Sequence, residues 1–571
     1  MSRDDDILVP NVWSGSDEPS EVSMQELFRE CRKTWEEQAT YYWASAEMNE
    51  RYIVGDQHIE VDQNFSVQPA FWPSEMPKTS RNLMRNLALT WTSRCLEDRP
   101  WVRCYAAVPG LDQGKAQVGN RLLEYTRQLY DFDQMNFDAG QLVQPHSCVA
   151  FKTVWDPLRG PLSEGTQAVQ NGVPIHDASG QPVMEGAGET QGDVSWEMVS
   201  IFDYGTDGAE NIEDSRWVIF KKTINLYDAR HLLETAGHDP SEVSDEPYKD
   251  VWGVQRKGVE ILELWHKPDF RFPKGLFAVM VADKVIQASP YPYKHGDLPL
   301  AVWKCGARRG SAFGSTHVDD AVWIQKSINT SVAALETQAR LIGSMKLLAH
   351  SSIIAEMQHG NQQIKVDDPE AIKSARWLEP PPRSEVLVQS LEDNVQALYA
   401  VYGLNEILSG AENAKSGTSA KSIAYLAKLD GQKMSGASRS LQKAIIRMCR
   451  QTLKLYQQYV QAPRLIQVTG EGDFAVQEFI GADLDGIDVI FEDASALPQM
   501  RGQIAGDAQQ QMAAGNPDPA LKEVSQTGIQ DTAYMKAARD IIRTQIQAAL
   551  NGEPGEPDPE VNPQVAVTEI S

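Results

Sequence analysis

Two apolar stripes of helical period, set on either side of a short insert, constrain this chain more than any other feature. Ile324, Ile328, Val332, Leu335 and Ile342 recur at spacings of 4, 4, 3 and 7, while Gln325, Lys326, Asn329 and Glu336 among them are polar. That rhythm puts one apolar stripe on a helix over 318–344, which should pack along one side only. Short β-like pieces follow over 345–383, ending in Pro380-Pro381-Pro382. Val388, Leu391, Val395, Leu398 and Tyr402 then repeat at 3, 4, 3 and 4, a heptad seam on a second helix over 384–402. The two helices are expected to run antiparallel, with the insert projecting from their far end. The stripes are longer than one hairpin partner can fully cover, so neighbouring copies are expected to pack on them. The plain alternative is a helical hairpin buried inside a monomer.

Around this pair the pattern is mixed. A helix over about 24–54 carries Leu27, Cys31, Trp35, Tyr42 and Ala46 on one side and ends near Gly55. A loop with Pro69, Pro73 and Pro77 precedes a helical stretch over 81–96, and Arg99-Pro100 closes it by removing a backbone donor. Residues 115–140 read as another helix. Between about 147 and 302, short β-rich runs such as Val149–Trp155, Arg216–Phe220 and Leu276–Val281 alternate with Gly, Asp and Pro clusters. The expected fold class is therefore α+β with an antiparallel sheet. The polar, glycine-rich stretch 156–193 reads as a mobile hairpin tip.

Beyond the second seam, a Ser-, Gly- and Asn-rich loop over 403–420 leads into a long helix in which Leu441, Ile445, Met448, Thr452, Leu455 and Tyr459 keep a 4, 3, 4, 3, 4 rhythm. Gly431 and Gly436 predict a kink there. Three β-like runs follow at 464–469, 473–480 and 486–491, then helices at about 498–514 and 531–550. The last twenty residues, rich in Gly, Pro and acids, read as disordered.

Charge narrows the function. The chain has 53 basic and 79 acidic residues, a formal charge of −26, which argues against tight general binding to phosphate backbones. Residues 1–30 hold eight acids and two bases, and 551–571 five acids and no base, so both ends read as acidic tails. The six cysteines contain no CxxC pair and no zinc spacing. His146-Ser147-Cys148 brings two possible ligands close, short of the three or four a metal needs. No apolar N-terminal run follows a basic start and no stretch is long enough to span a bilayer, so neither export by a signal peptide nor membrane insertion is expected.

Catalytic signatures are equally scarce. The Gly114-Lys115 pair is followed by Ala116 and not by Ser or Thr, so no P-loop is expected. Gly470-Glu471-Gly472 starts like a dinucleotide fingerprint, but position 475 is Ala, and a hairpin turn fits better. HExxH and GxSxG are missing. Acid pairs such as Asp367-Asp368 or Asp203 with Asp207 are what chance supplies in so acidic a chain. No catalytic residue, metal or cofactor is expected.

In order along the chain, Gly55-Asp56-Gln57; Arg81-Asn82-Leu83-Met84 with Arg99-Pro100; Asp214-Ser215-Arg216-Trp217-Val218; Tyr291-Pro292-Tyr293 before Pro299; Gly314 with Gln325 and Asn329; and Gly403-Leu404-Asn405-Glu406 through Gly410, then Ser416-Gly417-Thr418-Ser419-Ala420, resemble the portal proteins of tailed bacteriophages, the head-to-tail connectors. The likeness is greatest to the short-tailed, P22-like type and covers about residues 40–500 by order of elements.

That resemblance implies a homo-oligomeric ring of about twelve copies at one capsid vertex. Double-stranded DNA would be packaged and later ejected through its channel without sequence specificity. After an acidic tail over 1–23, residues 24–317 would form the wing, 318–344 and 384–402 the stem and 345–383 the clip. The tunnel loop would span 403–420, the long helix and returning wing strands 421–497, the crown helices 498–550 and a disordered tail 551–571. With little chain after 498, a long barrel is not expected. Ile324, Ile328, Val332, Leu335, Val388, Leu391, Val395 and Leu398 would pack the stem. Lys415, Ser416, Gly417 and Lys421 would meet DNA at the tunnel loop; the plain alternative makes the lysines solvated loop residues. Glu356, His359, Asp367 and Asp368 on the clip would dock terminase or the tail adaptor, or else simply solvate a small β unit. Further implied partners are the major capsid protein, scaffolding protein and head-completion protein, with assembly in the host cytoplasm, residence in the virion and no membrane. Nucleotide hydrolysis would belong to a separate terminase, so the chain itself is expected not to be an enzyme. Two rival readings are a multidomain glycoside hydrolase, prompted by fourteen Trp and many carboxylates, and another virion or scaffold ring that encloses no DNA channel.

Overall fold

The computed structural model describes residues 21–74, 76–96, 101–106, 113–161, 190–249, 254–343, 384–404, 420–461, 464–469 and 474–491, with Lys373 and short strand pieces within 166–185, 346–348 and 376–378. The fold is α+β. Helix α1 (Glu21–Val54) buries Phe28, Trp35, Ala39 and Ala46 along one side, as its spacing requires. A small hairpin, β1 (Ile59–Val61) with β2 (Val67–Pro69), occupies the proline-rich segment before α2 (Met84–Cys95). Strand β3 (Val102–Ala106) follows.

Residues 115–140 are not one helix. The chain forms α3 (Gln113–Leu129) and α4 (Phe132–His146), separated where Asp131 takes a left-handed backbone (φ 42°), a conformation Asp tolerates better than most residues. The turn lets Phe132 enter the core instead of continuing along α3.

Two antiparallel sheets form the middle of the molecule. The smaller has β4 (Cys148–Asp156) between β5 (Asp193–Val199) and β12 (Leu300–Lys304). Asp156 pairs with Asp193, so the stretch 156–193 does lie between paired strands as a hairpin connection. The larger runs in the order β6 (Tyr204–Thr206), β7 (Trp217–Ile224), β9 (Gln255–His266), β10 (Leu276–Val281), β11 (Lys284–Ser289), with β8 (Glu246–Lys249) pairing the start of β9. Helix α5 (Leu226–Thr235) is capped by Asn225 and buries Ala229 and Leu233 in a satellite cluster with Val243, Val259 and Val281.

Helices α6 (Val318–Gly343) and α7 (Glu385–Tyr402) fall where the stripes put them. Between them, β13 (Lys346–Leu348) pairs antiparallel with β14 (Arg376–Leu378). The long helix α8 (Ala420–Tyr459) runs through Gly431 and Gly436 as one continuous helix. It lies along the smaller sheet: Trp303 Nε1 donates to the Ala437 carbonyl at 3.0 Å, Trp196 Nε1 to Thr452 Oγ1 at 2.9 Å, and Arg447 Nε to the Leu300 carbonyl at 2.8 Å. The hairpin of β15 (Arg464–Thr469) and β16 (Phe474–Phe479) follows, and β17 (Ile487–Phe491) returns to pair with β3. One continuous apolar core joins α1–α4, both sheets and α6–α8.

Candidate functional site

The feature that could carry function is the two-helix unit of α6 and α7. Asn394 Nδ2 donates to Ser327 Oγ at 3.1 Å and the Ser384 amide to Gln338 Oε1 at 3.3 Å, so the helices are antiparallel, as expected. Ser384 caps α7 by accepting from the Leu387 amide, and Gly403 ends it in a left-handed conformation (φ 68°) that an L side chain would strain. The two stripes meet within the chain. Ile328 and Leu398 are fully buried, Ile324, Val332, Leu391 and Val395 pack half-buried on the main core, and Leu335 and Val388 are half-buried farther out. The seam that was expected to be left for neighbouring copies is thus largely occupied inside the chain, with cover thinning toward the insert.

Gln325 and Asn329 depart from the sequence expectation. Read there as part of the polar side of α6, they are 0% and 1% exposed. They stay polar because each finds partners: Gln325 Nε2 donates to the Arg81 carbonyl at 2.7 Å and to Asn329 Oδ1 at 2.9 Å. Asn329 Oδ1 also accepts from the Arg81 amide at 3.1 Å, and Asn329 Nδ2 donates to Gln57 Oε1 at 2.8 Å. Gln57 Nε2 then reaches the Tyr52 carbonyl at 2.9 Å, and Asn82 Nδ2 the Ile53 carbonyl at 2.9 Å. Motif pieces that are scattered in sequence, the buried side chains of Gln57, Gln325 and Asn329 with the Arg81 backbone and the half-buried Asn82, therefore form one clamp. Because bonds to side chains of fixed direction resist rotation, the clamp sets the roll of α6 against α1 and the start of α2. Asp319 adds a second tie at the base, accepting from Ser45 Oγ at 2.6 Å and Asn49 Nδ2 at 2.8 Å.

The remaining sequence candidates are placed as follows. Lys415, Ser416 and Gly417, and Glu356, His359, Asp367 and Asp368, lie outside the described residues, as do residues 1–20, the helices expected after 498 and the tail over 551–571, while Glu21–Ser23 of the expected first tail belong to α1. Lys421 is in the first turn of α8 rather than in a loop. His146 and Cys148 do not converge: His146 Nε2 lies 3.0 Å from Glu50 Oε2, while Cys148 Sγ lies 3.2 Å from Tyr204 OH. Burial pushes the Cys148 thiol up to about 11 and those of Cys31, Cys104 and Cys305 up to about 12, so these thiols are held neutral. Asp207 Oδ2 accepts from the Arg216 amide at 3.0 Å, and Asp203 is half-buried, with loss of solvent raising its pKa. Among the described residues no three His, Cys, Asp or Glu side chains are grouped to hold a metal, and no helix is long and apolar enough to cross a membrane.

One buried group had no sequence signal at all. Asp193, at the start of β5, binds Arg464 of β15, Tyr125 of α3 and Tyr456 of α8. A basic stretch was also passed over: no acid occurs between Met76 and Leu96, where Lys78, Arg81, Arg85 and Arg94 fall. Its signal was the local contrast with a chain of charge −26. No protein-family model matches this chain, and no curated protein matches it by sequence.

Proposed function

We propose that this chain is the protomer of a portal-like ring of about twelve copies that passes double-stranded DNA without reading its sequence. In this reading the α+β body is the wing, with α8 as its backbone along the smaller sheet, α6 and α7 are the stem, and the insert begun by β13 and closed by β14 is the clip. The observation that carries it is the clamp of Gln57, Arg81, Gln325 and Asn329, which fixes an antiparallel helix pair on a rigid body while the pair ends in an insert rooted by two paired strands. Such a unit presents one segment at a fixed height and angle in every copy, which a ring that docks other machinery needs.

The charge fits the same reading. DNA that must slide in either direction is stalled by a wall that binds phosphates tightly, and a chain of net charge −26 disfavours such binding. The ring then supplies geometry, with no catalysis of its own. Terminase and later a tail adaptor dock at the clip, capsid and scaffolding proteins surround the wing, and the location is the portal vertex of a virion.

Electron-microscope images and native mass spectrometry of the purified full chain test the reading. Rings with a hole wide enough for a duplex are expected. Compact monomers at high concentration, or closed particles with no hole, overturn it.

A further inference from the structure

If α6 and α7 spend their apolar seam on each other, successive copies must meet through other surfaces. Helix α6 is covered on one side by α7 and on another by residues 79–83, whose backbone Gln325 and Asn329 hold. The two outer flanks of this layer differ in sign. On α7, the residues turned to α6 are Leu391, Asn394, Val395 and Leu398, whereas Glu385, Glu392 and Asp393 are exposed off that stripe. None of the three forms an ion pair with another described residue, and Val386 beside them is 77% exposed.

The other flank is basic and aromatic. Lys78, Arg81 and Arg85 are exposed and form no ion pair with a described residue. Beside them Phe71, Trp72, Pro73 and Met76 close over Lys326 and Thr330 of α6 to leave a groove of about 160 Å³. Phe71 is 87% exposed, and Trp323, with Lys326 Nζ 5.5 Å from its ring centre, is 65% exposed. Trp72 is held in place, its Nε1 donating to the Met76 carbonyl at 3.2 Å and its ring lying edge-on to His58. The segment is a formed surface.

We infer that these flanks are the two halves of one contact between successive copies: the acidic outer face of α7 in one copy docks on the basic, groove-bearing flank of residues 71–85 and α6 in the next. The inference rests on the ring reading above. Charge complementarity argues for a second copy as the occupant, because one chain carries both signs on opposite flanks of the same rigid unit. The exposed Val386, Phe71 and Trp323 favour a protein partner over a phosphate backbone, which offers such side chains nothing to pack on. Two different patches pair head to tail, so the contact repeats from copy to copy instead of stopping at a dimer, as a ring requires.

Charge reversal separates the possibilities, and all substitutions fall on exposed side chains with no role in the clamp. The full-length variants E392K/D393K and K78E/R85E are each expected to keep the wild-type melting temperature. Each alone should need at least about tenfold more protein for half-assembly, because like charges then face each other. Mixed in equal amounts, they should recover assembly as rings with an even number of alternating subunits, visible by native mass spectrometry as a two-component series. If both variants assemble alone as the wild type does, or if the mixture assembles no better than its components, this contact is wrong while the ring reading stands. If the wild type itself remains monomeric, both fall. If K78E/R85E assembles normally but loses affinity for a short DNA duplex in anisotropy measurements, the flank is a phosphate surface and the inference is overturned.

Discussion

Arg464 Nη2 lies 2.7 Å from Asp193 Oδ2 with both side chains almost fully buried, 5% and 1% exposed. The pair ties the first residue of β5 to the first residue of β15, far apart in the chain, and Arg464 Nη1 adds a bond to the Gly192 carbonyl at 3.1 Å. Tyr125 OH donates to Asp193 at 3.1 Å and Tyr456 OH donates to its other oxygen, so the carboxylate is fully engaged. Removing one partner strands a buried charge. Arg464→Met is expected to destabilise the chain by about 3–5 kcal/mol in thermal or denaturant unfolding. Joining it with Asp193→Asn should restore part of that loss, because no lone charge is left inside. A double variant whose loss equals the sum of the Arg464→Met and Asp193→Asn losses would show that the pair is not coupled.

The clamp on α6 makes a prediction of the same kind in a neutral network. Asn329→Leu keeps approximate size but leaves Gln57 Oε1 and the Arg81 amide without their partner. The cost expected is about 1–3 kcal/mol, the range for a buried polar group left unpaired. Hydrogen exchange should rise in α6 and at residues 79–83 while the β7–β9–β10 sheet stays protected. Faster exchange spread evenly over the chain would mean that the clamp does not hold α6 locally.

Gly205 lies against Trp35, so close that a Cβ there would run into the indole ring. Trp35 is 2% exposed and its ring meets Trp43 edge-on at 5.3 Å, so it has no space to retreat. Gly205→Ala should therefore destabilise by about 1–3 kcal/mol through overpacking, even though it adds one methyl group. Trp35→Phe in the same background should recover part of the loss, and thermal unfolding of the three variants checks both statements.

Burial pulls the pKa of His317 down from 6.5 to about 4, and that of His295 to about 4 as well, where Lys454 and Arg447 add repulsion. His317 packs between Trp91 and Tyr402, with Nδ1 3.5 Å from Cys305 Sγ and Nε2 buried without a hydrogen-bond partner among the described residues. Between about pH 6.5 and 4 the unfolded chain takes up a proton at each position that the folded chain refuses. Stability from these groups is thus complete above pH 6.5 and is lost as pH falls toward 4. His317→Gln should reduce the slope of unfolding free energy against pH in that window by up to about one proton, measured by denaturant titration at several pH values. An unchanged slope would show that the imidazole titrates normally in the folded protein.

Local periodicity explains which elements were legible. The spacings in 324–335 and 388–402 put α6 and α7 within a residue or two of their observed bounds, because helical period and caps such as Ser384 and Gly403 act over one or two turns. Asp131 was missed as a helix break because a single acidic residue carries no turn signature until the core demands that Phe132 turn inward. The pairing of β3 with β17 was equally invisible: Cys104 and Val489 meet across about two thirds of the chain, and a five-residue strand does not name its partner.

By itself the sequence determined the α+β class, the antiparallel strands, the two seamed helices and the acidity, since each depends on residues that are neighbours along the chain. Only the tertiary structure decided that the two seams face each other, that Gln325 and Asn329 turn inward to bond Arg81 and Gln57, and that Asp193 meets Arg464. The physical reason is that a polar side chain can be buried or solvated at equal sequence pattern, and what settles it is whether folding brings a partner within hydrogen-bond reach.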